Sequence, residues 1–345
     1  MGLMPHLWTV VPKVRHTLLP ARPPASQPWE TTVADPRWGT VRLSGWLTDA
    51  ADAGGTGGRL RAAEHTSRGR GMEPGNGAGA VPTPAPAELV LLVHGMAGSA
   101  NSHYMPKAAA AAQAAGMASL RLNLRGSDGS GEDFYHAALT ADLHAALASP
   151  ALARFERIYV LGFSLGGHVA LRLGAEEADP RLRSVAAVCT PIDLAASSRQ
   201  IDSPASWLYR RYLVGAMARI YATVAARRPV PLPPAEAARI RKMREWDDRV
   251  VGPHHGFAGA GDYYARASAG PRLAALRRPA LLVNSLHDPM VPAHTVRAAL
   301  PPSCPGLAVR WVPAGGHVAF PARLDLGEGG DPGLVNQVLR WLRRA

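Results

Sequence analysis

Cysteine is almost absent from this 345-residue chain, which holds only Cys189 and Cys304. One closes an apolar run and the other sits in a Pro-rich loop, so neither a disulfide framework nor a metal cluster is indicated. Long hydrophobic runs are missing too. The longest, such as 89–93 and 108–112, fall far short of the ~20 residues a membrane-spanning helix needs. The opening MGLMPHLWTVVPKVRHTLLP lacks the charged start, apolar block and small-residue cleavage site of a secretion signal, so a cytoplasmic location is expected. Lysine is scarce, occurring at 13, 107 and 242 among 38 basic residues. With a net charge of +12, polyanions are a conceivable attraction, but the arginines are scattered and not interleaved with aromatics. No nucleic-acid partner is expected, while peripheral contact with a membrane surface stays open, as does the oligomeric state.

What the chain does have is apolar content. At 47% hydrophobic residues it can bury a large core. Residues 1–48 form an N-terminal segment with a first strand at 40–47, TVRLSGWL. The stretch 49–87 is dense in Gly, Pro and small polar residues and is expected to be an extended, mobile insertion. From 88 to 345, short apolar runs at 88–95, 118–126, 157–164, 184–191, 279–289 and 309–317 alternate with helical patterns. Each ends in a Gly, Pro or Asp turn. Continuous runs of that length are buried strands of a parallel sheet, so the fold class is α/β, with helices flanking a mostly parallel central sheet. Residues 192–270 interrupt the alternation and are expected to form a helical lid over the C-terminal edge of the sheet, where ligands of such folds bind.

Gly162-Phe163-Ser164-Leu165-Gly166 is a G-x-S-x-G lying between a predicted strand and a predicted helix, the setting of a nucleophile elbow. So tight a turn tolerates only small residues two positions from its centre, hence Gly162 and Gly166, and Gly167 lets the helix approach the sheet. A Gly-rich turn with an incidental serine would look alike. A serine hydroxyl needs a base and an orienting carboxylate. His317, after Gly315-Gly316, and Asp288, before Pro289, supply them in the order Ser, Asp, His of the α/β-hydrolases. Read alone, His317 would be a surface-loop histidine. Asp193 is the rival acid, although capping the lid's first helix explains it. His94-Gly95 ends the first long strand, so the backbone N–H groups of Met96 and Leu165 are the candidate oxyanion hole.

Several other residues are weighed and set aside. His254-His255 lacks a third ligand at a zinc-like spacing, so no metal is expected. His168 is read as a packing residue beside the elbow and not as a second base. Tyr263, Tyr264, Trp207 and Trp246 are as compatible with ordinary helix packing as with an acyl pocket.

Taken together, PHLWT (5–9), HGMAGS (94–99), LNLRGSDGS (122–130), YHAALTADL (135–143), GFSLGGHVAL (162–171), TPIDL (190–194), REWDDRVVGPHHGFAGAGDYYARAS (244–268), NSLHDPMVP (284–292) and GGHVAF (315–320) resemble the YheT-like branch of the α/β-hydrolases. The resemblance spans almost the whole chain outside 49–87. It implies an α/β-hydrolase fold, a nucleophile at Ser164, an acid at Asp288, a base at His317, and esterase-, lipase- or thioesterase-like chemistry on a small-molecule ester without a cofactor. Where the family often has an acidic pair, this chain has His287-Asp288, and only the second fits the acid. Where the elbow helix often begins G-G-N, this chain has Gly167-His168. Peptidase or perhydrolase chemistry on the same scaffold, or a non-catalytic interaction protein, are the alternatives.

Overall fold

A computed structural model describes residues 3–18, 22–51, 87–176 and 179–345. Nearly all of the expected insertion at 49–87 lies outside the described residues. Eight strands form one sheet: β1 (Gln27–Asp35), β2 (Gly39–Thr48), β3 (Glu88–Val93), β4 (Ala118–Leu122), β5 (Arg157–Phe163), β6 (Leu182–Val188), β7 (Ala280–Ser285) and β8 (Leu307–Val312), in the order β1-β2-β4-β3-β5-β6-β7-β8. β1 and β2 run antiparallel to each other and β2 to β4; every later pairing is parallel. The main helices are α1 (Leu3–Leu18), α2 (Met105–Ala114), α3 (Ala141–Leu147), α4 (Leu165–Gly174), α5 (Leu194–Asp202), α6 (Trp207–Ala225), α7 (Ala260–Ala267), α8 (Ala293–Ala299) and α9 (Leu334–Arg344). β1 and α1 are absent from the sequence reading, which places a single strand in the N-terminal segment.

The apolar runs are continuous because both faces of the sheet are covered. Leu89, Leu91 and Val93 of β3 pack into one core, and Val90 and Leu92 of the same strand pack into the other. Period-2 side-chain direction therefore feeds two cores from one unbroken run. Near β1 a single guanidinium gathers three carboxylates: Arg125 meets Asp35 at 2.7 Å, Asp133 at 3.0 Å and Asp142 at 2.5 Å.

Between β6 and β7 the chain leaves the sheet to build the helical insert, comprising α5, α6, several single turns and α7. Its two ends are tied to α4. His168 sets its ring nitrogens 2.6 Å from the Pro191 carbonyl and 2.8 Å from that of Ala267, and Arg172, one turn on, donates to Ala267 at 2.9 Å. His168 is thus a fully buried clamp at the root of the insert, occupied on both nitrogens.

Candidate active site

Ser164 joins β5 to α4 at φ 52° and ψ −119°. For a residue with a side chain this conformation costs roughly 1–3 kcal/mol, so its surroundings must enforce it. The glycines do that. A Cβ on Gly162 would lie 2.2 Å from the Gly166 carbonyl oxygen, and one on Gly166 would lie 2.3 Å from that of Val93. At Gly167 a Cβ would come within 2.0 Å of Thr190 Oγ1, which is how closely the helix approaches the sheet. Ala97, Cys189 and Val318 are the other non-glycine residues with positive φ among the described residues, and all three adjoin this corner.

The serine hydroxyl lies 2.9 Å from His317 Nε2, and His317 Nδ1 lies 2.8 Å from Asp288 Oδ2. Asp288 is fully buried, and its second oxygen accepts the backbone N–H of Met290 at 2.8 Å and of Val291 at 2.9 Å. A carboxylate can only accept, so Nδ1 carries the imidazole proton and Nε2 is left to accept from serine. Asp193 instead caps α5, accepting the Ala196 N–H at 2.9 Å. His287 is exposed and takes no part in this chain of contacts.

The loop bearing His317 is held by α1. Its backbone N–H donates to Thr9 Oγ1 at 2.9 Å, while the Thr9 hydroxyl donates to the Pro5 carbonyl at 2.8 Å. A Cβ on Gly316 would sit 2.5 Å from that Pro5 oxygen, so the helix can dock here only against glycine.

In the β3–β5 pairing Val93 stands opposite Gly162, which brings the loop after β3 out beside the elbow. A Cβ on Gly95 would lie 3.0 Å from Cβ of Ser164. On either side of Met96 the backbone is anchored by a tyrosine: Tyr104 accepts the Gly95 N–H at 2.8 Å and Tyr135 accepts the Ala97 N–H at 2.6 Å. Burial pushes the Tyr104 phenol up to about 12, so it stays neutral. His94 closes the loop by donating from Nδ1 to the Gly95 carbonyl at 2.8 Å and accepting the Leu124 N–H at Nε2, 3.1 Å away. Burial lowers its pKa to about 4, which keeps that acceptor free of a proton. Tyr104 and Tyr135 are supports that sequence reasoning missed, because nothing local distinguishes them from core aromatics.

Met96, Leu165, Ser164 and His317 all line one cavity of about 460 Å³ under the helical insert. Leu194, Ile201, Leu213 and Met290 give it apolar walls. Tyr263 and Tyr264 reach it, whereas Trp246 is core and Trp207 is exposed. One wall is polar. There the Tyr264 hydroxyl lies 2.6 Å from Asp247 Oδ2, and burial raises the Asp247 pKa to about 7.

Two groups of potential metal ligands occur among the described residues. Cys189 joins Asp288 and His317, but burial and then the Asp288 charge push its thiol pKa up, leaving it protonated. Asp133 joins His254 and His255, a third ligand no sequence spacing could reveal. The Arg125 guanidinium 3.0 Å from Asp133 opposes a cation there, and His254 Nε2 already meets that carboxylate at 2.7 Å.

The family described as alpha/beta hydrolase fold matches residues 88–323, and the chain belongs to it. Within that family it falls on the YheT-like branch. It is 30% identical to "Putative esterase YheT" of Escherichia coli (strain K12), over 67% of this chain and 70% of that protein. A phospholipase, ABHD3 of Homo sapiens, is 27% identical over 46% of this chain and 39% of its own length. Monoacylglycerol lipase of Saccharomyces cerevisiae is 27% identical over 39% of this chain and 32% of its own.

Proposed function

We propose that this chain is a serine hydrolase that cleaves carboxylic esters of short to medium acyl chains, acylglycerols among them, through Ser164, His317 and Asp288. The reading rests chiefly on the unbroken run of contacts from serine hydroxyl through imidazole to a buried carboxylate. Relatives named esterase, phospholipase and monoacylglycerol lipase point to the same substrate class.

In this mechanism Ser164 Oγ attacks the ester carbonyl carbon while His317 Nε2 takes its proton. Asp288 stabilises the imidazolium that forms. Negative charge collects on the former carbonyl oxygen, where the N–H groups of Met96 and Leu165 meet it; each such donor is worth ~10²–10³ in rate. The imidazolium then protonates the leaving alcohol, giving an acyl-enzyme. Water, deprotonated by the same histidine, releases the acid and restores the serine. Asp247 and Tyr264 offer hydrogen-bonding groups on an otherwise apolar wall, suited to a hydroxyl of the substrate.

The test is a panel of p-nitrophenyl esters of graded chain length, with a thioester and a peptide substrate beside it, and labelling by a fluorophosphonate. Turnover should peak on the shorter esters, and Ser164→Ala should lose both labelling and turnover. Turnover by Ser164→Ala above the residual ~10³–10⁴-fold that binding and the oxyanion donors provide over water would overturn the mechanism.

A further inference from the structure

Helix α1 carries a stripe of apolar side chains that the described residues leave largely exposed, with Met4, Leu7 and Val11 at the mouth of a cleft they share with Phe320 and Leu334. Met4, Leu7, Val11, Val14 and Leu18 recur at steps of three and four residues, which places them on one face. Their exposures run from 41% for Leu7 to 74% for Leu18. The opposite side of the helix is anchored, through Thr9 on the His317 loop and through His6, whose Nδ1 lies 2.8 Å from the Tyr209 hydroxyl. Next to the stripe, α6 exposes Trp207, Leu208 and Tyr212. The two helices meet where the Lys13 ammonium sits 3.0 Å over the Tyr212 ring.

This surface is continuous with the candidate active site. Val14, Leu208 and Tyr212 are exposed to solvent and also line the cavity that holds Ser164, so they form its rim. Charge reinforces the picture. α1 bears Lys13 and Arg15, α6 bears Arg210, Arg211 and Arg219, and neither helix contains a carboxylate. No helix among the described residues is long and apolar enough to cross a membrane. An apolar stripe bordered by cations, on a helix that cannot span, is suited to lying in the headgroup boundary of an anionic bilayer.

We propose that the face formed by α1 and the first turns of α6 docks this protein on anionic lipid surfaces, with the cavity rim at the interface so that an acylated lipid enters without crossing water. The inference rests on the ester-hydrolase reading for its purpose, but its binding step is separable from the chemistry. A second copy of the chain would be the other occupant of such a face. The lack of carboxylates on both helices argues against self-pairing across this surface, since its own cations would face one another.

The test is flotation of the full chain with vesicles of phosphatidylglycerol and phosphatidylcholine, against phosphatidylcholine alone, at low and high salt. Binding should be at least tenfold tighter to the anionic vesicles and weaken with salt. Met4→Asp with Val11→Asp and Leu18→Asp should reduce it at least tenfold, with an unchanged circular dichroism melt and unchanged turnover of p-nitrophenyl butyrate in free solution. If that variant does not fold, Arg15→Glu with Arg211→Glu should selectively weaken binding to the anionic vesicles. Ser164→Ala should float as wild type does, so a failure of the ester reading would show in turnover while flotation persists. Absence of wild-type flotation, binding by both sets of variants equal to that of the wild type, or a solution dimer that the triple variant dissociates would overturn the proposal.

Discussion

Replacing Asp288 by Asn separates the orienting carboxylate from mere occupancy of its site. In the native arrangement Oδ1 accepts two backbone N–H groups, from Met290 and Val291, and Oδ2 faces His317 Nδ1. An asparagine keeps its carbonyl oxygen toward the two N–H groups, since turning the amide over would set its NH₂ against both donors. The NH₂ must then point at Nδ1, which can meet it only as an acceptor. The imidazole proton moves to Nε2, where it faces Ser164 and can no longer receive the serine proton. A wrong tautomer in an otherwise intact site lowers kcat by about 10⁴, which is ~5.4 kcal/mol of barrier at 1.36 kcal/mol per tenfold. Asp193→Asn is the control, because asparagine caps a helix about as well as aspartate and turnover should hardly move. Both variants are assayed for kcat on a soluble ester, with circular dichroism melts to show that they fold. A loss below tenfold for Asp288→Asn, or a larger loss for Asp193→Asn, would refute the assignment of the acid.

Acid should unfold the protein through its buried imidazoles. Burial lowers His94 to about 4, and desolvation together with the Arg125 charge lowers the half-buried His136 to about 3, so between about 6.5 and those values the unfolded chain binds more protons and stability falls as pH drops. Each costs on the order of 3 kcal/mol by pH 4, and the two together are comparable with the ~5–15 kcal/mol net stability of a domain; urea midpoints that stay constant from pH 7 to 4.5 would refute this. Asp247 works the other way. Raised to about 7, it keeps its proton when folded and loses it near 3.8 when unfolded, so it adds stability as pH falls from 7 toward 3.8. Asp247→Asn should therefore raise the melting temperature at pH 8, where the buried charge is relieved, and give little or no gain at pH 4; equal shifts at both would show that burial does not perturb this carboxyl.

Much of this was legible because the relevant physics is local. Unbroken apolar runs predict strands covered on both faces, and β3 through β8 lie where those runs are. The glycines about Ser164 are demanded by a turn whose clashes involve residues no more than a few positions away, and the neighbouring strand. Order along the chain also singled out Asp288 and His317, although their meeting at 2.8 Å is a tertiary fact. β1 escaped notice because QPWETTVAD alternates weakly, with only Trp29 and Val33 buried. α1 gave no sign of its role because its partners are remote: Thr9 meets the His317 backbone across 308 residues.

By itself, then, the sequence determined the strands, the strained turn and the identities of the three polar groups, since each follows from side-chain period or from sterics within a few residues. Only the tertiary structure decided what surrounds them. It tied the backbone on either side of Met96 to Tyr104 and Tyr135, set Asp133 beside His254, and laid α1 across the histidine loop with its apolar stripe turned away from that loop. Those pairings join segments far apart in the chain. They form only when long loops close around a common core, where burial and hydrogen bonding outweigh the closure entropy, and no local pattern of residues encodes that balance.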